Sequence, residues 1–335
     1  MGGNDMQQRT GVRVGRFTIT WRIVLVAAIS LVFLAFPIVV HSKYLHHLMI
    51  VLLIFATAAT GWNVLGGFGG QVSLGHAVYF GLGAYAAAVV FMKWGVTPWV
   101  GMIIGGVVAV LVSMVIGYPC FQLGGRYFSM ATLVLGEVVM TIFLNWPWVG
   151  GAVGLFMPMV PESLYSLQFH SSKLPYYYIA LGLLGIAILM NYAIDRSQMG
   201  YYLRAIKDDP VAARSLGINL TKYKLLAMAV SSLLAAVAGS LYAQYLLYID
   251  PLSVMVNTIS TQIMLIAALG GMGSIFGPLI GALVLIPIGE LARAYFGGGG
   301  RAVNLIIFGA LVIIVAIYLP GGLVTLPKRL RRRQR

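Results

Sequence analysis

Residues 46–92 read HHLMIVLLIFATAATGWNVLGGFGGQVSLGHAVYFGLGAYAAAVVFM, without one aspartate, glutamate, lysine or arginine. The stretch divides into two apolar runs, His46–Leu65 and Gly75–Met92, joined by a glycine-rich bridge. A helix needs about 20 mainly apolar residues to cross a hydrocarbon core of roughly 30 Å, and each run is of that order. The strands of a membrane β-barrel would instead alternate apolar and polar residues over about 10 positions, which these runs do not do. Two membrane-crossing helices are therefore expected here.

The same reading extends outward. The chain has 335 residues, of which 60% are hydrophobic and 9% charged, against roughly 25% charged in a soluble domain. Mean hydropathy is +0.92. Eight further apolar segments follow the same pattern: Ile23–Val40, Pro98–Gly117, Phe128–Asn145, Tyr176–Ile194, Leu225–Leu247, Thr258–Leu269, Leu279–Phe296 and Ala302–Leu319. The predicted fold is all-α, a polytopic transmembrane bundle of about 10 helices. The range is 8–10, because Thr258–Leu269 is short and reads as a tilted helix, a broken helix or one arm of a re-entrant pair. The 41 glycines suit close backbone approach between helices, and Gly101 with Gly105, and Gly277 with Gly281, are candidate crossings.

The net charge of +14 lies mostly in segments between apolar runs, so it reads as membrane orientation, not nucleic acid binding. With both termini in the cytoplasm, 17 of the 22 lysines and arginines fall inside and 5 outside. The expected organisation is a basic cytoplasmic segment over 1–22, a membrane domain over 23–319 containing a cytoplasmic loop at 195–224, and a basic tail over 320–335. That tail reads as a stop signal beside anionic lipid headgroups. The arginines ahead of Ile23 resemble a signal peptide in outline, but no small-x-small site follows the apolar run, so an uncleaved first helix is expected. Trp94, Trp99, Trp146, Trp148 and Tyr176–Tyr178 lie near predicted span ends, where amphipathic rings anchor helices at the interface. Cys120 is the only cysteine, which excludes an intrachain disulfide, and it reads as a small buried apolar residue.

The loop from Asp195 to Lys224, DRSQMGYYLRAIKDDPVAARSLGINLTKYK, is charged and carries helix punctuation. Asp208 and Asp209 offer capping carboxylates, Pro210 suits a first helical position and Gly217 a left-handed terminus, which predicts one helix of about two turns. Asn219 and Thr221 are placed to start the next helix. On mechanics alone, an ordinary surface loop and a rigid lever for an outside motor are both open.

Three features mark a candidate translocation pathway. LGGFG at Leu65–Gly69 is echoed by LGGMG at Leu269–Gly273, which reads either as a chance repeat among 41 glycines or as a pair of interrupted helices, whose freed backbone groups must face water, protein or substrate. Gln71, Ser73 and His76 follow the first break and either bind a passing zwitterion or join helices. Glu137 stands within a predicted span, where it must face the interior, in a structural hydrogen bond or on the pathway. Glu290 has Arg293 one turn away and reads as an ion pair.

The sequence VAARSLG at Val211–Gly217 is similar to the EAAxxxG pattern of permease subunits of binding-protein-dependent importers, with Val211 where that pattern has glutamate. The segment Met199–Pro251 resembles the M-type permease subunit of branched-chain amino acid importers. So do Asn63–Val89, NVLGGFGGQVSLGHAVYFGLGAYAAAV, and Ala268–Ala282, ALGGMGSIFGPLIGA. Where that family tends to read TGGxxGL, this chain has VGGAVGL at Val149–Leu155.

The resemblance implies a non-catalytic, multi-pass subunit of a bacterial inner membrane. Its implied partners are a homologous permease chain, two ATPase subunits that bind ATP and magnesium, and an extracytoplasmic binding protein. It further implies that Asp208, Asp209, Pro210, Ala212, Ala213, Arg214 and Gly217 form the helix that docks on an ATPase subunit. Leucine, isoleucine and valine lead as substrates, with urea, amides and other amino acids open.

The residues themselves support no chemistry of hydrolysis, since GxxxxGK[ST], HExxH and GxSxG are all absent. A stand-alone ion-coupled transporter would use several intramembrane acids, against Glu137 and Glu290 here. A membrane-embedded enzyme would need a cluster of convergent acids, histidines or nucleophiles.

Overall fold

A computed structural model describes residues 31–40, 42–123, 125–296, 309–310 and 322–325, without the side chains of Arg126 and of residues 292–296. Its helices are α1 (Lys43–Asn63), α2 (His76–Trp94), α3 (Pro98–Leu123), α4 (Gly125–Leu144), α5 (Leu174–Arg196), α6 (Gln198–Asp208), α7 (Pro210–Ser215), α8 (Leu220–Leu246), α9 (Pro251–Val254), α10 (Asn257–Gly270) and α11 (Gly277–Phe296). Residues 31–39 are also helical.

Among the described residues, 7 helical segments are long and apolar enough to cross a membrane, and Gly277–Leu291 is a shorter apolar helix. Of the predicted span Ile23–Val40 only 31–40 is described, and of Ala302–Leu319 only 309–310; the rest of both lies outside the described residues. The short eighth segment takes the broken form. Helix α10 has 14 residues, and a turn separates it from α9 at Met255 and Val256.

Lipid inverts the usual helix pattern, and α4 displays the result. Phe128, Thr132, Gly136 and Met140 are buried at every fourth position, while Met130, Val134, Val138 and Ile142 are exposed at the same period. The exposed stripe is the more apolar one, as expected of a helix with protein on one side and hydrocarbon on the other. Helix α3 repeats this, burying Gly101, Gly105, Ala109, Ser113 and Gly117 and exposing Ile103, Val107, Leu111 and Val115. Helix α1 is buried on all sides from Leu48 to Asn63, the mark of a central helix.

Around α1 the backbones come close. A Cβ at Gly83 of α2 would collide with the Ala236 carbonyl of α8, and one at Gly239 of α8 would collide with the Phe80 carbonyl of α2. Ser240 Oγ donates to the Gly83 carbonyl at 2.9 Å, and Ser232 Oγ donates to Ser113 Oγ at 3.0 Å. Both predicted glycine pairs are crossings. A Cβ at Gly101 would lie 2.7 Å from Ala87 Cα, and one at Gly281 would collide with the Ile266 carbonyl.

Two residues depart from the sequence reading. Tyr176 and Tyr177 are buried, at 4% and 0% exposure, instead of anchoring α5 at an interface. The Tyr176 hydroxyl donates to the carbonyls of Leu167 and Gln244 at 2.9 and 3.1 Å, so the polar tip finds partners inside the protein. Trp94, Trp146 and Trp148 are exposed as expected. Beyond α4, β1 (Leu155–Phe156) pairs antiparallel with β2 (Tyr248–Ile249) and ties this loop to the end of α8.

Candidate functional site

The charged loop folds into a jointed arm. Ser197 ends α5 and caps α6, accepting the Gly200 N–H at 3.4 Å, and Arg204 pairs with Asp195 across the joint. Helix α6 buries Gly200, Leu203 and Ile206 and ends at Asp208. Asp209 then turns extended, with φ −151 and ψ 104, and its carboxylate accepts the N–H groups of Val211 and Ala212 at 2.8 and 3.1 Å. Pro210 opens α7 at the position where a missing N–H costs nothing.

At the far end the N–H groups of Leu216, Gly217 and Ile218 donate to the carbonyls of Ala212, Arg214 and Ala213, with Gly217 at φ +81. Asn219 caps α8 through the Lys222 N–H at 3.0 Å.

One side of this arm is fixed and the other is free. Ala213 is the buried residue of α7 and sits with Ile206 and Leu220 among Ala205, Ile218 and Tyr223. Val211 and Leu216 are 74% and 81% exposed, and Pro210, Ala212 and Arg214 are also exposed. The short helix predicted from these signals runs over Pro210–Ser215, with Asp209 as its N-cap and Gly217 left-handed just past its end, while Asp208 belongs to α6 and does not cap it. Helix α6 was missed from sequence. Its signal was the Ser197 cap ahead of Gly200, Leu203 and Ile206 at helical spacing.

The two glycine-rich breaks meet. Helix α1 widens into a π-turn over Val64–Phe68, and a Cβ at Gly67 would lie 2.5 Å from Gly273 N. Asn63 Oδ1 accepts the Gly273 N–H at 2.8 Å, and Asn63 Nδ2 donates to the carbonyl of Ser274 at 3.0 Å and to Asn191 Oδ1 of α5 at 3.4 Å. Lys207 Nζ of α6 donates to the Gly67 carbonyl at 2.9 Å.

Of the candidate pathway residues, the structure brings Ser73 and His76 together. His76 is fully buried. Its Nδ1 lies 3.0 Å from Ser73 Oγ and its Nε2 2.7 Å from Ser231 Oγ of α8, so both ring nitrogens face hydroxyls that can donate or accept. Trp62 Nε1 donates to the Ser73 carbonyl at 2.9 Å. Gln71 is half-buried in the bridge, where its N–H closes on the Leu65 carbonyl. Glu137 is half-buried on α4, and its Oε1 accepts from Asn257 Nδ2 at the start of α10. Glu290 lies on α11, and the side chain of Arg293 is outside the described residues.

Residues 44–316 match the family model described as branched-chain amino acid transport system / permease component. The chain is 26% identical over 333 residues to the high-affinity branched-chain amino acid transport system permease protein LivM of Escherichia coli (strain K12), covering 93% of this chain and 76% of that one. It is 26% identical over 295 residues to the corresponding LivH protein of the same strain, covering 82% and 92%. The nucleoside ABC transporter permease protein NupC of Lactococcus lactis subsp. cremoris (strain MG1363) is 25% identical over 213 residues, covering 58% and 66%. With its family model spanning most of its length, this chain belongs to the permease components of branched-chain amino acid transport systems.

Proposed function

We propose that the chain is the membrane-spanning subunit of an ATP-driven importer that carries branched-chain amino acids into the cytoplasm of a bacterium, across its inner membrane. The observation that carries this reading is α7. It is capped at both ends, pinned through Ala213 and joined without slack to α6 and α8, yet it presents Val211 and Leu216 to the outside. Exposed apolar side chains on a rigid charged arm suit a protein partner, and in this family reading the partner is an ATPase subunit.

The chain itself is non-catalytic. Separate ATPase subunits hold ATP and magnesium, a homologous permease chain completes the pathway, and an extracytoplasmic binding protein delivers substrate. Binding of ATP shifts the pair between inward-open and outward-open populations through differential contact with the arm.

Orientation is supported by the way the loops sort. One end of the bundle joins Gly67, Lys207, Gly271 and Gly322 and carries Arg196, Arg204, Lys207, Arg214, Lys222 and Lys224. The other joins Lys93 to Trp148, Thr97 to Tyr165 and Trp99 to Leu164. The basic end is cytoplasmic by the positive-inside rule. Both termini and a total of about ten helices go with that arrangement.

Gln71, Ser73, His76 and Glu137 are proposed to lie on or beside the pathway, and Asp208, Asp209, Pro210, Ala212, Ala213, Arg214 and Gly217 to form the coupling element. The nucleoside permease among the relatives supports a second substrate class. The test is ATP-dependent uptake of labelled leucine, and of labelled nucleoside, into proteoliposomes holding the chain alone or with its partner subunits. Leucine uptake by the complete system alone supports the proposal. Uptake by the isolated chain under an ion gradient refutes it.

A further inference from the structure

The arm at 198–217 does not end at its docking surface; its inner side grips the place where the two glycine-rich breaks touch. Lys207 stands two residues before the Asp209 cap. Its stem lies over Gly70, with Cγ 2.7 Å from where a Cβ of Gly70 would be, and its ammonium reaches the Gly67 carbonyl. That carbonyl belongs to the last turn of the α1 helix, where carbonyls lack partners within the helix and attract a cation. Leu203, one turn earlier on α6, packs near Gly69. Asn63 carries the connection onward, with its amide spanning from the first break to Gly273 and Ser274 and to Asn191 of α5.

The junction is also unfinished in a telling way. The hydroxyl of Ser274 is buried and has no hydrogen-bond partner among the described residues, although its carbonyl is taken by Asn63. A buried polar atom left unpaired is costly and calls for an explanation such as a second arrangement in which it is satisfied. Backbone packed against backbone at Gly67 and Gly273 has no side chains to soften it, so the contact is made or broken as a unit.

We infer that Lys207 and Asn63 are positioning residues that convert movement of the α6–α7 arm into making and breaking of the Gly67–Gly273 junction, which acts as the cytoplasmic gate of the pathway. The inference rests on the permease reading above. Lys207 pulls the Gly67 carbonyl with the arm, and Asn63 decides whether the second break follows. Neither residue needs to touch substrate.

The experiment uses the complete importer in proteoliposomes and compares Lys207→Met, which keeps the stem over Gly70 and loses the donor, with Lys207→Arg, which keeps a donor. ATP hydrolysis, leucine uptake and thermal stability are measured on each. Gln71→Cys, in a Cys120→Ala background, reports cytoplasmic accessibility to a membrane-impermeant maleimide with and without ATP. Expected for Lys207→Met are hydrolysis near the wild-type rate, uptake per ATP lower by at least about fivefold, the lower end for coupling between sites, and labelling that no longer responds to ATP. Lys207→Arg should restore most of the uptake.

Unchanged uptake per ATP in Lys207→Met, in a system whose wild type is coupled, overturns the strut and leaves the permease reading standing. Hydrolysis, uptake and stability falling together overturn it too, since they mark Lys207 as a helix cap only. A wild-type complex that does not couple ATP to uptake overturns the permease reading and the strut with it.

Discussion

Removing one carboxylate should loosen α7, the proposed coupling element, without touching its surface. In Asp209→Ala the N–H groups of Val211 and Ala212 lose their acceptor, and loss of such a cap costs about 1 kcal/mol within a range of 0.5–2. Asp209 is exposed, so the change leaves no cavity and the effect is that of the cap. Helix α7 has 6 residues, well under the roughly 12–15 at which an isolated helix becomes even marginal. It therefore stands on the cap, on Pro210, on the Gly217 closure and on Ala213, and no remaining contact makes up for a lost one.

A change of about 1 kcal/mol multiplies the local opening equilibrium by roughly fivefold. Hydrogen exchange on the full chain should then accelerate by that factor at the amides of Ala213, Leu216, Gly217 and Ile218, whose partners are carbonyls within the arm. Asp209→Asn keeps an acceptor oxygen and should exchange nearly as the wild type does. If the alanine variant left those four amides unchanged, the helix would not be held by its cap and the account of the arm as a rigid lever would be wrong.

Gly217→Ala should cost about 1–2 kcal/mol, because a left-handed φ of +81 with nothing within 4 Å of the new Cβ leaves only backbone strain; Gly217→Asn should cost less, by the same exchange measurement. Gly83→Val drives a branched side chain into the Ala236 carbonyl, and overpacking of at least 1–3 kcal/mol should appear as a lower melting temperature in nanodiscs. A double-mutant cycle between His76→Ala and Ser231→Ala should return a coupling of about 0.6 kcal/mol and no more than about 1.7, the range for hydrogen bonds between membrane helices; zero coupling would mean the pair does not interact.

In the loop between α4 and α5, Glu162 accepts from the Ser171 N–H, the Ser171 hydroxyl and the His170 N–H, which holds its carboxyl below the ordinary value of 4.5. Since the folded value is the lower one, the stabilisation is complete above about pH 4.5 and is lost as the pH falls further. Amide exchange at His170 and Ser171 should rise in that acid range, and Glu162→Gln should remove the dependence.

The sequence revealed most where one solvent decides the outcome. Hydrocarbon accepts only helices and closed barrels, whose backbone bonds are all satisfied, so the long unalternating apolar runs around Ile50, Val110 and Val134 declared helical spans. The buried side of α4 could also have been read, from Thr132 and Gly136 set between larger apolar residues. Local chemistry was nearly as legible, since Asp209, Pro210, Gly217 and Asn219 each act on neighbours within four residues.

What escaped depended on groups far apart in the chain. Tyr176 looks like an interfacial anchor until the carbonyls of Leu167 and Gln244 are brought to its hydroxyl. Lys207 looks like one more positive-inside charge until Gly67 is found beneath it. The echo of LGGFG in LGGMG pointed at both breaks but not at their contact, because two glycines carry no side-chain signal of partnership. That silence has a physical cause. A contact between bare backbones specifies shape through what is missing, and it is the polar residues beside it, Asn63 and Lys207, that tie it with hydrogen bonds.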